Sequence, residues 1–144
     1  VQNIVEAEKI DLIIPSTDYE VYYLALNKLT LKTNVAASEY QIAKIYLDKY
    51  ETFLYHSKHN IPFAKSWLPK DYDFSESEII AKPREGRGSR GILINPINPS
   101  ELPDDYMIQS FIKGKEITTA VYVTKENILH LLWEQDQFLE KYLK

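Results

Sequence analysis

The chain alternates between short apolar runs, which predict strands, and segments with apolar residues three or four positions apart, which predict helices. The nearly continuous apolar run at residues 10–14 predicts a strand buried on both faces. Residues 17–20 have capping-box spacing and predict a helix to about Lys28, and residues 2–9 predict another on the same sheet. Because a strand followed by a helix is one unit of a parallel sheet, we expect residues 1–34 to end a Rossmann-like domain.

The rest of the chain predicts two more helices and then antiparallel strands. Capping-box spacing recurs at residues 38–41 and 48–51, so we expect one helix after each, the second from Lys49 to about Lys58. Residues 95–103 hold three prolines and predict a connector. The predicted strands cover residues 35–37, 63–68, 79–94 as a hairpin, 106–112, 117–124 and 128–133. The polar end, residues 134–144, predicts a short helix or a frayed tail.

Composition and charge narrow the class of protein. A net charge of −4 and a pI near 5.4 argue against nonspecific binding to nucleic acid. The absence of cysteine excludes a disulfide framework and a thiolate zinc site, and makes a reducing cytoplasm the default location. No apolar run reaches the roughly 20 residues of a membrane span. The chain starts at Val1 without a methionine, so we expect an excised domain or a clipped chain, and the oligomeric state stays open, a homo-oligomer included.

Residues 79–94 read as a strand, a loop rich in glycine and arginine, and a second strand. Three of the four glycines lie within this loop, where they let backbone N–H groups approach an anion. Four cationic residues surround them: Lys82, Arg84, Arg87 and Arg90. A basic cluster on an acidic chain predicts a specific anionic ligand, with phosphate as the best candidate. The alternative is a mobile surface hairpin with solvated arginines.

Further motifs lie at fixed distances on either side of this loop. They are Asp48-Lys49 before it, Ala81-Lys82-Pro83 at its first strand, the loop Gly86-Arg87-Gly88-Ser89-Arg90-Gly91 itself, and Gln109-Ser110-Phe111-Ile112 with Gly114 and Glu116 after it. Each alone has a plainer interpretation, such as a helix cap, a surface lysine or an ordinary hairpin. Their order and spacing together resemble the ATP-grasp superfamily, in particular its carbamoyl-phosphate-synthase-like ligases.

The resemblance implies a role for each motif. Lys49 would reach the nucleotide phosphates, and Lys82, the implied catalytic residue, would contact them from beneath. The loop, with Arg84, Gly86, Arg87, Gly88, Ser89, Arg90 and Gly91, would close over the β- and γ-phosphates. The segment Gln109, Ser110, Phe111 and Ile112 would bind the adenine edge. Glu116 would bind the ribose hydroxyls.

The resemblance also implies a fold class, α/β (α+β). Residues 35–124 would be the first ATP-grasp lobe, built of helices and antiparallel strands, and residues 125–144 would start the second lobe or form a tail. No metal ligand is identified. The carboxylates Glu134, Asp136 and Glu140 lack the pattern of the family's magnesium site, and His56 and His59 read better as surface histidines than as metal ligands.

The function implied is that of an ATP-dependent ligase, with Mg²⁺ in the full-length protein and a small carboxylate as the partner substrate. An acyl phosphate would form and an amine would displace its phosphate, and this chain alone would be inactive. Two other classes stay open: a non-catalytic nucleotide-binding or interaction module, and a loop that binds a phosphorylated protein or sugar. The sequence does not identify the carboxylate or the amine.

Overall fold

The computed structural model describes residues 1–115, 117–123 and 129–134. The chain divides into two compact units, Val1–Phe111 and Ile112–Lys144. In the part of the chain that is described, helices and a mainly antiparallel sheet confirm the predicted α/β (α+β) class. No described helix has both the length and the apolar character needed to span a bilayer.

The first unit opens with two helices and a short parallel pair of strands. Its elements are α1 (Gln2–Ala7), β1 (Leu12–Ile13), α2 (Asp18–Asn27) and β2 (Asn34–Val35), with β1 parallel to β2. Thr17 caps α2 by accepting a hydrogen bond from the Glu20 backbone N–H at 3.3 Å, as its spacing predicts. The predicted burial of residues 10–14 on both faces is wrong. Leu12 is 50% and Ile14 72% exposed, because in the described residues β1 has only one neighbouring strand.

Two consecutive helices follow, α3 (Tyr40–Leu47) and α4 (Lys49–Lys58). Asp48 caps α4 as expected, since its carboxylate accepts from the backbone N–H groups of Tyr50 and Glu51 at 2.8 and 3.2 Å. The predicted cap at Ser38 is wrong. The helix starts one residue later, with Glu39 at the N-cap and no side-chain capping bond.

A four-stranded antiparallel sheet carries the predicted hairpin. Its strands are β3 (Ser66–Trp67), β4 (Ile79–Pro83), β5 (Leu93–Ile94) and β6 (Tyr106–Ser110), in the order β3-β6-β4-β5. The predicted strand at residues 63–68 shortens to two residues. One face packs on a hydrophobic core formed by Trp67, Tyr72, Ile79, Ala81 and Ile108. The register places Ser66, Lys82 and Gln109 together on the opposite face.

In the second unit, β7 (Thr118–Val123) pairs antiparallel with β8 (Leu129–Glu134), which confirms the predicted strand pair. Glu116, residues 124–128 and residues 135–144 lie outside the described residues, so the interpretations of Glu116, Asp136, Glu140 and the polar tail stay predictions. The domain boundaries after residues 34 and 124 also stay predictions.

Candidate functional site

The loop between β4 and β5 forms one wall of a cavity of about 380 Å³. The structure brings together here most of the residues predicted to bind phosphate. The lining residues are Asp18, Lys49, Lys82, Pro83, Glu85, Gly86, Arg87, Gly88, Ser89, Arg90 and Ile92. Two lysines and two arginines therefore share a small space with two carboxylates, which favours an anionic ligand.

The backbone of this loop depends on glycine. The φ angles of Gly86, Gly88 and Gly91 are 137°, 65° and 72°, and that of Ser89 is 54°. Gly91 is also restricted by its neighbours, because a Cβ there would lie 2.9 Å from the Tyr106 hydroxyl and 3.0 Å from Pro83 Cγ. The sequence predicted glycines that allow a close approach to an anion. At Gly91 the missing Cβ instead leaves room for the protein's own side chains, those of Tyr106 and Pro83.

Lys49 binds the start of the loop. Its ammonium donates to the carbonyl oxygens of Arg84 and Gly86 at 3.2 and 3.1 Å, and its backbone N–H donates to the Arg84 carbonyl at 2.9 Å. Because an ammonium has three N–H donors, one donor is left for a ligand. Lys49 therefore holds the loop to the first turn of α4 and still lines the cavity.

Arg84 is directed to Asp48 rather than into the cavity. Its Nε donates to both carboxylate oxygens of Asp48, at 3.3 and 3.0 Å, and its Nη2 donates to Oδ2. Burial would raise the pKa of Asp48, but the guanidinium and the two backbone N–H groups of α4 outweigh it and hold that pKa below its usual range. Arg84 is absent from the cavity lining, and its predicted contact with phosphate stays a prediction.

Lys82 projects from β4 into the same cavity, where it is half-buried. Its ammonium donates to the side-chain oxygen of Gln109 at 2.8 Å. Burial and then the positive charge of Lys49 lower the pKa of Lys82. A phosphate in the cavity would place a negative charge beside this ammonium and so favour its charged form.

Gln109 in turn binds Ser66, a residue that the sequence analysis did not single out. The Gln109 amide nitrogen donates to the Ser66 hydroxyl at 3.0 Å, and that hydroxyl donates to the Ala64 carbonyl at 2.9 Å. Nothing in the sequence marks Ser66, because its partner lies 43 residues away and the register of β3 on β6 brings them together.

The predicted adenine-binding segment starts in β6. The backbone N–H groups of Ser110 and Phe111 donate to the carbonyl oxygens of Lys65 and Glu78 at 2.9 and 3.0 Å, so the sheet uses both donors. The Ser110 hydroxyl is buried without a partner in the described part of the chain. Ile112 belongs to the second unit and is 67% exposed. The adenine and ribose contacts stay predictions.

Asp18 lines the cavity, although the sequence analysis did not assign it to the site. Its spacing predicts only a place in a capping box, but the first turn of α2 brings it to the cavity. Its carboxylate and that of Glu85 reduce the positive charge of the wall.

No metal cluster is found in the described residues. Among them, no three or more His, Cys, Asp or Glu side chains are grouped so that they could hold a metal ion. The His56 ring packs edge-on against Phe63, with centroids 5.0 Å apart, and its Nε2 lies 3.0 Å from the Tyr46 hydroxyl. This aromatic packing gives His56 a structural role.

Comparisons with known proteins agree on one fold. A family model described as an ATP-grasp domain matches residues 46–143. Among solved structures, the D-alanine–D-alanine ligase of Helicobacter pylori is 18% identical with a TM-score of 0.68, and covers 88% of this chain and 47% of that one. The N5-carboxyaminoimidazole ribonucleotide synthetase of Thermotoga maritima is 16% identical with a TM-score of 0.65, over 90% of this chain and 38% of that one.

A third structure, the VanG D-Ala:D-Ser ligase of Enterococcus faecalis, is 17% identical with a TM-score of 0.65, over 85% of this chain and 41% of that one. At these identities the likeness shows the fold. The chain spans less than half the length of each of these three proteins. No curated protein matches the sequence significantly.

Proposed function

The chain belongs to the ATP-grasp domain family, and we propose that it is the ATP-binding part of a ligase that joins a small carboxylate to an amine, or of a carbamoyl-phosphate-synthase-like ligase. The observation that carries the proposal is the cavity in which Lys49, Lys82 and the glycine–arginine loop converge. The fold likeness to proteins named as ligases supports it.

The charges of the cavity suit a chain of phosphates. Four cationic side chains (Lys49, Lys82, Arg87, Arg90) face two carboxylates (Asp18, Glu85), so the lining has a net charge of 4 − 2 = +2. Gly86 and Gly88 line the cavity, and at these bends backbone N–H groups can approach phosphate oxygens without a Cβ in the way. Closure of the loop would exclude water and strengthen each of these contacts.

Lys82 is the proposed catalytic residue. Its ammonium is half-buried and held by a neutral amide, so no carboxylate neutralises it in the hydrogen bond to Gln109. Such a charge stabilises negative charge on a phosphoryl group during transfer, where positioning and electrostatics dominate catalysis. Gln109, Ser110, Phe111 and Ile112 are proposed to bind the adenine, and Glu116 the ribose.

The proposed reaction belongs to the full-length protein. A carboxylate oxygen attacks the γ-phosphorus of ATP, the bond to the ADP oxygen breaks, and an acyl phosphate forms. An amine then attacks the acyl carbon and phosphate leaves. Mg²⁺, when bound, neutralises charge on the phosphate oxygens. Since no cluster in the described residues fits it, Mg²⁺ coordination is proposed outside them.

The proposal divides the chain into three regions and assigns the protein a cellular location. Residues 1–34 would end a Rossmann-like domain, residues 35–124 would form the nucleotide-binding lobe, and residues 125–144 would start the second lobe or a tail. The isolated chain would bind nucleotide but lack ligase activity, and the protein would work in the cytoplasm.

Calorimetry of this chain with MgATP tests the proposal. We expect saturable binding that weakens about tenfold or more in Lys82→Ala, because a hydrogen bond to a charged group contributes roughly 1.5–3 kcal/mol. Lys58→Ala removes the same charge from an exposed position at the end of α4 and should bind as the wild type does.

Absence of ATP binding by the wild type would refute the proposal for this chain. Equal affinity for ATP and inorganic pyrophosphate would show a phosphate-binding loop without an adenine site, as in the alternative of a phosphorylated protein or sugar. ATP binding in a full-length protein without ligase activity would favour the nucleotide-binding or interaction module.

A further inference from the structure

We propose that Ser66 is a positioning residue of the nucleotide site, which acts through Gln109 to hold the ammonium of Lys82 in the cavity. This inference rests on the proposed function and extends it to a residue outside the cavity lining. The three side chains lie on one face of the sheet, on the neighbouring strands β3, β6 and β4.

In the series of hydrogen bonds from Lys82 through Gln109 to Ser66, the chemical groups themselves determine which atom donates and which accepts. The ammonium of Lys82 can only donate, so the Gln109 atom 2.8 Å from it must be the amide oxygen. The amide nitrogen of Gln109 then faces Ser66 and needs an acceptor, 3.0 Å away. The Ser66 hydroxyl can accept there because its own hydrogen is directed to the Ala64 carbonyl, at 2.9 Å. A backbone carbonyl therefore fixes the orientation of Lys82 through two side chains.

Burial makes this arrangement specific. Ser66 is 5% and Gln109 8% exposed, so water cannot readily replace either partner. If the Gln109 amide rotated by half a turn, its NH₂ group would face the Lys82 ammonium, and two groups that can only donate would meet. The hydrogen bond to Ser66 opposes this rotation. The Gln109 side chain that binds this ammonium is also neutral, so the positive charge of Lys82 remains available to interact with a ligand.

The alternative is that Ser66 only helps β3 pair with β6. Truncation would then weaken nucleotide binding through the sheet as a whole, whether or not Lys82 is present. A positioning role requires that the effect of Ser66 disappear when Lys82 has no ammonium. A double-mutant cycle separates the two roles.

The cycle uses MgATP affinity measured by calorimetry on the wild type, Ser66→Ala, Lys82→Met and the double variant. We expect Ser66→Ala to weaken binding about threefold to tenfold, the effect of one net hydrogen bond. In the Lys82→Met background the same change should alter affinity by less than about twofold. Ser57→Ala, at an exposed position on α4, is the matched control. Equal losses in both backgrounds would overturn the proposal.

A measurement without nucleotide keeps this inference distinct from the proposed function. NMR titration of the Lys82 ε-carbon should show a lower pKa in Ser66→Ala than in the wild type, because the charged form loses a well-placed acceptor. The other charged groups of the cavity, Asp18, Lys49, Glu85, Arg87 and Arg90, are the same in both proteins. An unchanged pKa of Lys82 would refute the positioning role, even if ATP binds.

The wild type alone also gives a result, should Ser66→Ala fail to fold. The side-chain amide protons of Gln109 should exchange with solvent much more slowly than those of exposed glutamines such as Gln41. Exchange at the rate of Gln41 would show that the chain of hydrogen bonds does not hold, and would overturn the inference.

Discussion

Replacement of Asp48 should destabilise the fold by more than its place at a helix start suggests. The carboxylate caps α4 through two backbone N–H groups and binds the guanidinium of Arg84 at the end of β4. Side-chain exposures of 15% for Asp48 and 27% for Arg84 make both groups largely inaccessible to water. Asp48→Ala therefore removes a helix cap and leaves the partly buried guanidinium of Arg84 with only the more distant carboxylate of Glu51, 3.9 Å away.

The expected magnitude follows from these two losses. A helix cap contributes about 1 kcal/mol and hydrogen bonds to a charged group about 1.5–3 kcal/mol, and partial exposure reduces the second figure. We expect Asp48→Ala to lower the free energy of unfolding by about 2–4 kcal/mol. Asp48→Asn keeps a good cap and loses only the charge, so its loss of stability should be about 1 kcal/mol smaller than that of Asp48→Ala.

Urea unfolding followed by far-UV circular dichroism measures this, because all the described helices lie in the first unit. Asp104→Asn changes an exposed carboxylate and should stay within about 0.5 kcal/mol of the wild type. The folded pKa of Asp48 is depressed. Its stabilisation is therefore complete above the unfolded value of about 3.9 and disappears as the pH falls through the folded pKa. A loss in Asp48→Ala no larger than in Asp104→Asn would refute this reasoning.

Two further predictions concern the loop and Lys82. Gly91→Ala should destabilise the protein by at least about 1 kcal/mol more than Gly88→Ala in thermal unfolding, because both have positive φ but only Gly91 has neighbours within contact distance of a new Cβ. Equal melting temperatures for the two variants would contradict the structure of the loop. The pKa of Lys82 is lower in the folded than in the unfolded state. At a pH between these two pKa values the unfolded state binds more protons, so the contribution of Lys82 to stability rises with pH there. The stability of Lys82→Met relative to the wild type should therefore decrease as the pH rises from neutral toward about 10. A difference independent of pH in urea unfolding would contradict the lowered pKa.

Much of the fold was predictable because its signals are local. Capping residues at Thr17 and Asp48 mark the starts of α2 and α4, since at a helix start the N-cap side chain can accept from the backbone N–H two or three positions on. Apolar runs flanked by turn residues marked the hairpin around the glycine loop. The family followed from motifs whose order along the chain needs no structure.

The errors arose where the outcome depends on distant residues. Burial of residues 10–14 depends on how many strands flank β1, and in the described residues β2 alone does. The Ser38 cap failed because the helix begins at Tyr40, so Glu39 occupies the N-cap position and Ser38 lies one residue before it.

The sequence by itself determined the ATP-grasp family, and it predicted that a loop rich in glycine and arginine, with two lysines near it, binds an anion. Tertiary structure alone decided which charges are available to a ligand. Arg84 is directed to Asp48, Lys49 to the loop carbonyls, and Lys82 to Gln109 with Ser66 behind it. The physical reason is that residue types and local spacing are written along the chain, whereas the partner of each charge is set by strand register and packing across 27 to 43 residues.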